Sequence, residues 1–540
     1  MKKKKLLPVL AAAVLVCLIG LSFAIVKMQN DQPETIVLLH TNDVHGAIEN
    51  YAKVAALKKQ YEESGSYVLL LDAGDFSQGE SAVNESKGGT AVELMNLSGY
   101  DVATLGNHEF DYGYDNVVKL ESEADFPFIS ANILKDGENA FKDRVIFTTP
   151  KGKKIGVFGL DTPETATKTN PDQIKGVTFI GQSDPAELFD CAQEQVDILL
   201  SEGCEMVICI SHLGIDEEST GYRSIDLLKK VNGIDFLIDG HSHSTLDEIK
   251  EVTDGTGKVN GTFITSAGEK MESIGKIVVT DGSVAEISNL STEELEVEPD
   301  AEVSRRAGEI ISQIEQEYGE VIGSAEVALK GEKEDVRTAE AGIGNLVADA
   351  MLWEIRKNGV DCDLAIMNGG SIRDSIPEGD ITKNDIHTVL PYGNELCVVQ
   401  VTGEELLEVL EASTYCIPQA IGGFPQVSGI EFTVDSGKIF HGEDNYPDST
   451  YSKPSSINRV SIQSAGGKPF DRNKVYSVGI NDFMASGGDT YYVFKVADSN
   501  INLGMHLDEA VMDYIEEELH GVIPADRYGS PEGRIHLTGN

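Results

Sequence analysis

The chain has 540 residues, too many for one hydrophobic core, and 41% of them are hydrophobic, an ordinary value for globular proteins. Its formal net charge of −47 argues against nucleic-acid polymers as partners, because binding them depends on lysines and arginines that neutralise phosphates. A small anionic ligand would approach against the same charge, so metal ions and a few arginines would have to capture it.

The N-terminus carries four consecutive lysines, Lys2 to Lys5, followed by an uncharged and mainly apolar stretch from Leu6 to Val26. A basic segment before an apolar one is typical of an export signal. The small residues around Ala24 are compatible with cleavage, whereas the length of the stretch also suits an uncleaved membrane anchor. Both alternatives predict that residues 1–30 place the rest of the chain outside the cytoplasm, secreted or anchored to the membrane.

Six cysteines follow this segment, an even number that permits disulfides but is too small for a dense disulfide framework. Cys209 lies within an apolar run and is predicted to be buried. The others are Cys191, Cys204, Cys362, Cys397 and Cys416.

Residues 31–285 contain short β-branched runs that alternate with helical stretches, which predicts an α/β domain. Amphipathic segments at Thr90–Leu97 and Ala186–Leu200 are the clearest helices. The predicted strands are Ile36–His40, Val68–Asp72, Val102–Leu105, Phe128–Ser130, Ile155–Leu160, Met206–Ser211 and Phe236–Asp239.

Residues 286–323 are predicted to form a linker that contains one exposed helix, Val303–Tyr318. A second domain is predicted over residues 324–540. It opens with a helix at Gly344–Ile355 and continues with apolar runs such as Leu364–Met367 and Cys397–Val401, separated by glycine-rich loops.

Seven side chains of metal-ligand type follow the predicted strands of the first domain, where open α/β sheets place their binding sites. They are Asp43 and His45 in T-N-D-V-H-G, Asp75 in D-A-G-D, Asn107 in G-N-H-E-F-D, His212 in S-H-L-G, and His241 and His243 in G-H-S-H. The two i, i+2 pairs would point to one side if the strand ends stay extended. Each motif alone also suits a turn or a buried histidine. Together they predict a site for two divalent cations, the arrangement that supports phosphoryl displacement.

These five motifs resemble the signature of the calcineurin-like metallophosphoesterases. From about residue 35 to 535 the chain is similar to the 5′-nucleotidase family, which includes secreted bacterial 5′-nucleotidase/UDP-sugar hydrolases and ecto-5′-nucleotidase. The resemblance implies an α/β fold with an N-terminal four-layer α/β/β/α sandwich and a C-terminal α/β nucleotide-binding domain. It implies one metal held by Asp43, His45, Asp75 and His243, and a second held by Asp75, Asn107, His212 and His241. His243 stands where some members have glutamine, and both side chains can ligate.

His108 follows the ligand Asn107 and is predicted to face the substrate, where an imidazole stabilises charge on phosphoryl oxygens or protonates the leaving alkoxide. Asp111, three residues later, is within reach to hold that imidazole in the useful tautomer. The alternative for this pair is a hydrogen bond that only stabilises the loop.

The second domain carries motifs that the resemblance assigns to substrate binding. Asn368 to Arg373 read N-G-G-S-I-R, in which the glycines allow a close approach of the backbone and Arg373 offers a fork suited to phosphate. Tyr392 and Phe483 correspond to two aromatics that sandwich a base, and Asp489 to an acceptor for ribose hydroxyls. Ala339 stands where an arginine is often found, so either the phosphate is held more weakly or Arg337 takes over. The implied substrate-binding residues are Arg337, Asn368, Gly370, Arg373, Tyr392, Phe483 and Asp489.

The sequence thus predicts an exported phosphohydrolase that uses two divalent metals, such as Zn, Mn or Co, on nucleoside 5′-monophosphates or UDP-sugars. One alternative is a 2′,3′-cyclic-nucleotide 2′-phosphodiesterase/3′-nucleotidase, although relatives of that kind tend to carry asparagine at the position of Asp111. A different alternative is a catalytically silent surface protein that binds nucleotides. Metal identity, base preference and oligomeric state are left open by the sequence.

Overall fold

The computed structural model describes residues 33–539. The predicted export segment, residues 1–30, lies outside the described residues. Within the described range, no helix is both long enough and apolar enough to cross a membrane. The chain forms an N-terminal body that ends after the strand Ser283–Ser291 and a C-terminal body that begins with the strand Val321–Ala325.

The N-terminal body is built on two main sheets. The first has five strands in the spatial order Ser283–Ser291, Ser273–Thr280, Thr35–Thr41, Tyr67–Asp72 and Val102–Ala103. The second has six strands in the order Lys258–Val259, Thr262–Thr265, Phe236–Asp239, Met206–His212, Lys154–Asp161 and Arg144–Thr148. A small third sheet pairs Glu138–Asn139, Ile133–Lys135 and Val177–Phe179. The predicted strands are present except for Phe128–Ser130, which forms only isolated bridges.

Alternating side chains place the two main sheets face to face. Ile36 and Leu38 pack between the sheets, whereas Val37 and Leu39 pack beneath helices on the outer face of the first sheet. The helix Pro185–Ser201 covers the outer face of the second sheet. These layers confirm the predicted α/β/β/α sandwich. The helices of this body are Tyr51–Glu63, Ser81–Asn84, Gly89–Ser98, Tyr114–Glu123, Thr165–Lys168, Pro185–Ser201, Ser224–Leu228 and Leu246–Val252.

The helix that connects the two bodies spans Ala301–Tyr318. The prediction of an exposed linker helix is wrong for one of its faces: Val303, Ala307 and Ile310 are buried in the core of the N-terminal body. Arg306 also forms an ion pair with Glu93 on a neighbouring helix. The reason is the i, i+4, i+7 spacing of the three apolar residues, which gives the helix an apolar stripe to bury.

The C-terminal body has a central five-stranded sheet in the order Pro425–Ser428, Leu364–Asn368, Val475–Asn481, Glu395–Thr402 and Ser499–His506. Ala365 and Met367 pack on the side of the helix Gly342–Lys357, and Leu364 and Ile366 on the side of Gly403–Ser413. Smaller sheets are formed by Gly379–Thr382, Val321–Ala325 and Val522–Ile523, by Lys468–Pro469, Val460–Ala465, Ile430–Asp435 and Ile535–Thr538, and by Gly442–Asn445 and Ser452–Pro454. Further helices are Lys333–Val336, Lys383–Val389, Asp482–Ala485, Tyr492–Lys495, Leu507–Asp513 and Ala525–Tyr528.

The six cysteines of the described chain are all free thiols. Cys209 is fully buried between the second sheet and its helices, as predicted. The core of this protein therefore holds together without disulfides among residues 33–539.

Candidate active site

The seven predicted metal ligands lie at one edge of the sandwich, because the parallel strands that carry them all end there. The first sheet contributes Asp43, His45, Asp75 and Asn107, in loops that follow its parallel strands. The second sheet contributes His212, His241 and His243 from two adjacent parallel strands. The candidate site therefore straddles both sheets.

The backbone at these positions differs from the sequence-based expectation. The strands Thr35–Thr41 and Phe236–Asp239 end before the ligands, so the prediction that the two i, i+2 pairs lie on extended strand ends is wrong. Instead, five of the seven residues have left-handed φ angles: 48° at Asp43, 46° at His45, 61° at Asp75, 75° at His241 and 58° at His243. Such strained residues cluster at functional sites when the surrounding structure holds them in place.

Asp43, His45 and His243 form one group of converging ligand atoms, all within 4.8 Å of one another. His45 Nε2 lies 3.2 Å from His243 Nε2, and His243 Nε2 lies 3.7 Å from Asp43 Oδ1. Burial, reinforced by Arg373, lowers the pKa of His45 well below its usual value. This imidazole is therefore neutral, as a metal ligand must be.

Asp75 and His212 converge with Asp43 in a second group. His212 Nε2 lies 3.0 Å from Asp75 Oδ2 and is fully buried, yet it makes no aligned hydrogen bond with any described residue. A short distance without an aligned hydrogen bond is expected when both atoms point at a common metal position instead of at each other. Asn107 Oδ1 and His241 Nδ1 meet beside them at 2.9 Å. Asp75 also lies 3.9 Å from His45 Nε2, so its carboxylate reaches between both groups.

The donor set fits divalent cations. Burial alone would raise the pKa of Asp75, but His212 and His108 beside it hold the pKa well below its usual range, so the carboxylate is an anion. Position 106 requires a glycine, because a Cβ there would lie only 2.3 Å from Asp75 Oδ1 and displace the carboxylate. Buried carboxylates, imidazole nitrogens and an amide oxygen suit Zn, Mn and Co alike.

His108 and Asp111 form the predicted pair. His108 Nδ1 lies 2.7 Å from Asp111 Oδ2, and its Nε2 faces the candidate metal centre, 3.9 Å from Asp75 Oδ2. The imidazole is thus held from behind by a carboxylate while its other nitrogen remains directed at the cavity.

Glu109, which the sequence analysis did not assign, connects two of the ligand loops. Its carboxylate is fully buried and accepts backbone N–H bonds from Asp75, Phe76, Ser77 and Gly106 at 2.7–3.0 Å. This clamp fixes the Asp75 loop relative to the loop that carries Asn107 and His108.

A cavity of about 180 Å³ lies between the two bodies, in front of the candidate metal centre. From the N-terminal body it is lined by Asp75, Asn107, His108 and Asp111, together with His241 and His243. From the C-terminal body it is lined by all seven predicted substrate-binding residues: Arg337, Asn368, Gly370, Arg373, Tyr392, Phe483 and Asp489. The structure therefore brings together side chains that are hundreds of residues apart in sequence.

Two arginines face the metal end of this cavity. Arg373 Nη2 lies 3.4 Å from His45 Nε2, and Arg337 lies near enough to Arg373 for their charges to interact. Ala339, at the position where relatives often carry arginine, has its carbonyl engaged by Gln426. Arg337 lines the cavity, as is required by the alternative in which it takes over the phosphate contact.

The remaining predicted residues also line the cavity. Tyr392 stacks on His108 with ring centroids 5.7 Å apart and planes 25° apart, a neighbour that sequence reasoning did not foresee. Gly370 N donates to the carbonyl of Gly422. Asn368 Nδ2 donates to Asp489 Oδ2 at 3.2 Å, and burial raises the pKa of Asp489 to about 6.

Sequence reasoning missed three charged residues of the N-terminal body that line the same cavity: Lys168, Asp216 and Glu218. Glu218 accepts from Lys168 Nζ at 2.5 Å and from the Tyr451 hydroxyl at 2.8 Å. Burial alone would raise the pKa of Glu218, but Lys168 and Tyr451 lower it to about 2. Lys168 follows the strand Lys154–Asp161, which ends at the same sheet edge as the ligand strands, and this position is the signal that could have found it.

Comparisons with known proteins agree with this architecture. Residues 36–245 match the family model of the calcineurin-like phosphoesterases, and residues 321–496 match that of the 5′-nucleotidase C-terminal domain. The chain is 30% identical over 513 residues to the trifunctional nucleotide phosphoesterase protein YfkN of Bacillus subtilis, a match that covers 87% of this chain and 33% of YfkN. It thus spans about a third of that protein's length.

Other relatives match over most of their length. The 5′-nucleotidase of Bos taurus is 27% identical, with 94% of this chain and 92% of the bovine protein covered. Among solved structures, the 5′-nucleotidase precursor from Thermus thermophilus superimposes with a TM-score of 0.76 at 28% identity, covering 94% of this chain and all of that one. The chain thus combines a calcineurin-like phosphoesterase domain with a 5′-nucleotidase C-terminal domain, and this pairing supports a metal-dependent phosphoester hydrolase.

Proposed function

We propose that this protein is an exported 5′-nucleotidase that releases phosphate from nucleoside 5′-monophosphates with the help of two divalent cations. The observation that carries the proposal is the shared cavity: candidate metal ligands of one body and candidate nucleoside-binding residues of the other line the same space. Export is supported by the basic and apolar N-terminal segment of the sequence.

Asp43, His45, Asp75 and His243 would hold one cation, and Asp75, Asn107, His212 and His241 the other. Two such cations supply a water of lowered pKa and a clamp on the reacting phosphate oxygens. The protein's own part is to fix these ligands, through the Glu109 clamp and the left-handed loops, where they border the cavity between the two bodies.

His108 is proposed to hold the proton that the leaving alkoxide needs. Its Nδ1 side is bound to Asp111, so the transferable proton would be on Nε2, which faces the cavity. Arg337 and Arg373 carry the positive charge that draws a phosphate into a protein of such negative net charge.

The nucleoside would lie at the other end of the cavity. Tyr392 and Phe483 offer aromatic faces for a base, and Asp489, held by Asn368, offers acceptor oxygens for ribose hydroxyls. A nucleoside monophosphate bound in this way would place its phosphate at the metal centre and its ribose at Asp489.

The test is phosphate release by residues 31–540, stripped with chelator and resupplied with Mn, Zn or Co. AMP, UDP-glucose, 2′,3′-cyclic AMP and bis-p-nitrophenyl phosphate are offered side by side. Metal-dependent turnover dominated by AMP supports the proposal, whereas preference for the cyclic diester would replace it with the cyclic-nucleotide phosphodiesterase assignment.

The silent binding protein is separated from the enzyme by the variant Asp75→Asn. If the cations perform the chemistry, phosphate release collapses in this variant while adenosine binding, which depends on the C-terminal body, persists. A wild-type protein that binds adenosine and metal but turns over none of the four substrates would overturn the proposed function.

A further inference from the structure

The imidazole of His243 has different partners on its two nitrogens. Its Nε2 faces the candidate metal centre, 3.2 Å from His45 Nε2 and 3.7 Å from Asp43 Oδ1. Its Nδ1 lies on the opposite side, 2.9 Å from Oε2 of Glu269. Glu269 belongs to none of the motifs and has no role in the proposed reaction.

Two other predicted histidine ligands have outer partners of a different kind. His45 Nδ1 lies 3.1 Å from the carbonyl of Gln78, and His212 Nδ1 lies 2.7 Å from the carbonyl of Ala73. All three imidazoles therefore direct Nε2 inward, but His243 has a carboxylate behind it, where the other two have a neutral carbonyl.

A ligating imidazole donates its outer N–H to an acceptor, which fixes the tautomer and the ring orientation and makes the inner nitrogen more basic. A carboxylate acceptor makes this hydrogen bond charge-assisted and shorter. His243 depends on such help, because it stands on a loop with a strained backbone, φ 58°, and has a side chain that is 16% exposed.

The turn that carries Glu269 is itself fixed to the metal-binding loop. Lys270 N donates to the carbonyl of Asp43 at 2.8 Å, and Lys270 Nζ lies 2.7 Å from Asp374 Oδ2 of the C-terminal body. The side chain of Glu269 is 37% exposed, so its removal opens no cavity in the core. These features place the carboxylate reproducibly and allow it to be changed without disrupting the fold.

We propose that Glu269 is a positioning residue that holds His243 in its Nδ1–H tautomer and directs Nε2 to the cation shared with Asp43 and His45. The inference rests on the proposed two-metal function. According to this proposal, the affinity of the protein for one of the two cations depends on the Glu269 carboxylate behind the ligand. The proposal also explains what a histidine at position 243 offers over the glutamine of some relatives. A glutamine that ligates through its oxygen carries its only donor, the amide nitrogen, on the same carbon, so it cannot span from the cation to Glu269 as the two sides of an imidazole do.

The experiment is a double-mutant cycle of Glu269→Ala and His243→Gln, read by metal titration of the chelator-stripped protein with Co²⁺ absorption and calorimetry. Wild type should bind two cations. E269A should lose about 10- to 100-fold in affinity at one of them, the usual cost of removing such a partner. In the H243Q background, E269A should change the affinity less than twofold, because the hydrogen bond no longer exists.

Two matched variants complete the design. Glu272→Ala removes the same charge from an exposed position of the same turn and should leave both affinities unchanged. Glu269→Gln retains an acceptor oxygen and should recover most of the affinity lost in E269A. Melting temperatures of the metal-free variants should match wild type, which separates a metal effect from a folding effect.

Equal effects of E269A in the wild-type and H243Q backgrounds, equal losses in E269A and E272A, or no loss in E269A would each overturn the proposal. Failure of the two-metal function is visible separately. A stripped wild-type protein that takes up fewer than two cations, or takes up two and releases no phosphate, refutes that function before any variant is compared.

Discussion

The variant Asp111→Asn distinguishes a catalytic pair from a hydrogen bond that only holds a loop. His108 Nδ1 lies 2.7 Å from Asp111 Oδ2, and the two side chains are 10% and 11% exposed. A hydrogen bond to a charged group in such surroundings contributes about 1.5–3 kcal/mol. Asparagine keeps the size of the side chain and removes the charge.

If the carboxylate supports the imidazole in the transition state, most of this free energy is lost from the barrier. The kcat for AMP should then fall about 10- to 150-fold, since each 1.36 kcal/mol corresponds to a factor of ten. Metal affinity should stay at the wild-type value because Asp111 is not among the predicted ligands.

The assay is phosphate release from AMP at saturating metal, with metal titration and thermal unfolding of the same preparations. Asp115→Asn, the same chemical change at an exposed position four residues later, serves as the control and should behave as wild type. A kcat within threefold of wild type together with a lowered melting temperature would refute the catalytic assignment and leave only a loop-stabilising bond.

Three further changes test the cavity. Arg337→Ala should raise the KM for AMP about tenfold or more, since a charge-assisted contact is worth about 1.5–3 kcal/mol. Competitive inhibition by adenosine, which has no phosphate, should stay unchanged. An equal loss of affinity for AMP and adenosine would contradict a phosphate role. Asp489 is ionised above pH 6 and protonated below it, so adenosine inhibition should weaken as the pH falls through about 6, and Asp489→Asn should remove that dependence. Tyr451→Phe removes a hydrogen bond to the Glu218 carboxylate and should lower the free energy of unfolding in urea by about 1.5–3 kcal/mol. Tyr415→Phe removes a hydrogen bond to the Glu218 carbonyl and should lower the same free energy by about 0.5–1.5 kcal/mol. Equal losses in the two variants would contradict the role of the carboxylate charge.

The sandwich and the convergence of the candidate ligands were predictable because both rest on local patterns. Each ligand motif directly follows an apolar run, and strand ends of one sheet meet at one edge whatever the details of packing. The stripe of Val303, Ala307 and Ile310 was also visible in the sequence, but only the structure shows the surface against which it packs.

Glu218 and Glu269 were not predictable from the sequence in this way. In sequence, Glu218 stands in an acidic run that is typical of a solvated loop, and its burial arises only when Tyr451 of the other body approaches it. The proposed role of Glu269 depends on its short distance from His243, and the sequence separation of the two residues does not predict that distance. Side chains that contact each other from different bodies or different loops follow no periodic pattern in the sequence from which the contact could be predicted.

The position of the candidate metal centre across two sheets has a mechanical consequence. Among residues 33–539, the five-stranded and six-stranded sheets are joined through an apolar layer and share no ladder of backbone hydrogen bonds. Cations coordinated by Asp43 and Asn107 on one side and by His212 and His243 on the other would cross-link the two sheets at one rim. Metal binding would then be a reversible cross-link between the two sheets. The free energy of unfolding of this domain would therefore rise with the concentration of free metal in its proposed extracellular surroundings.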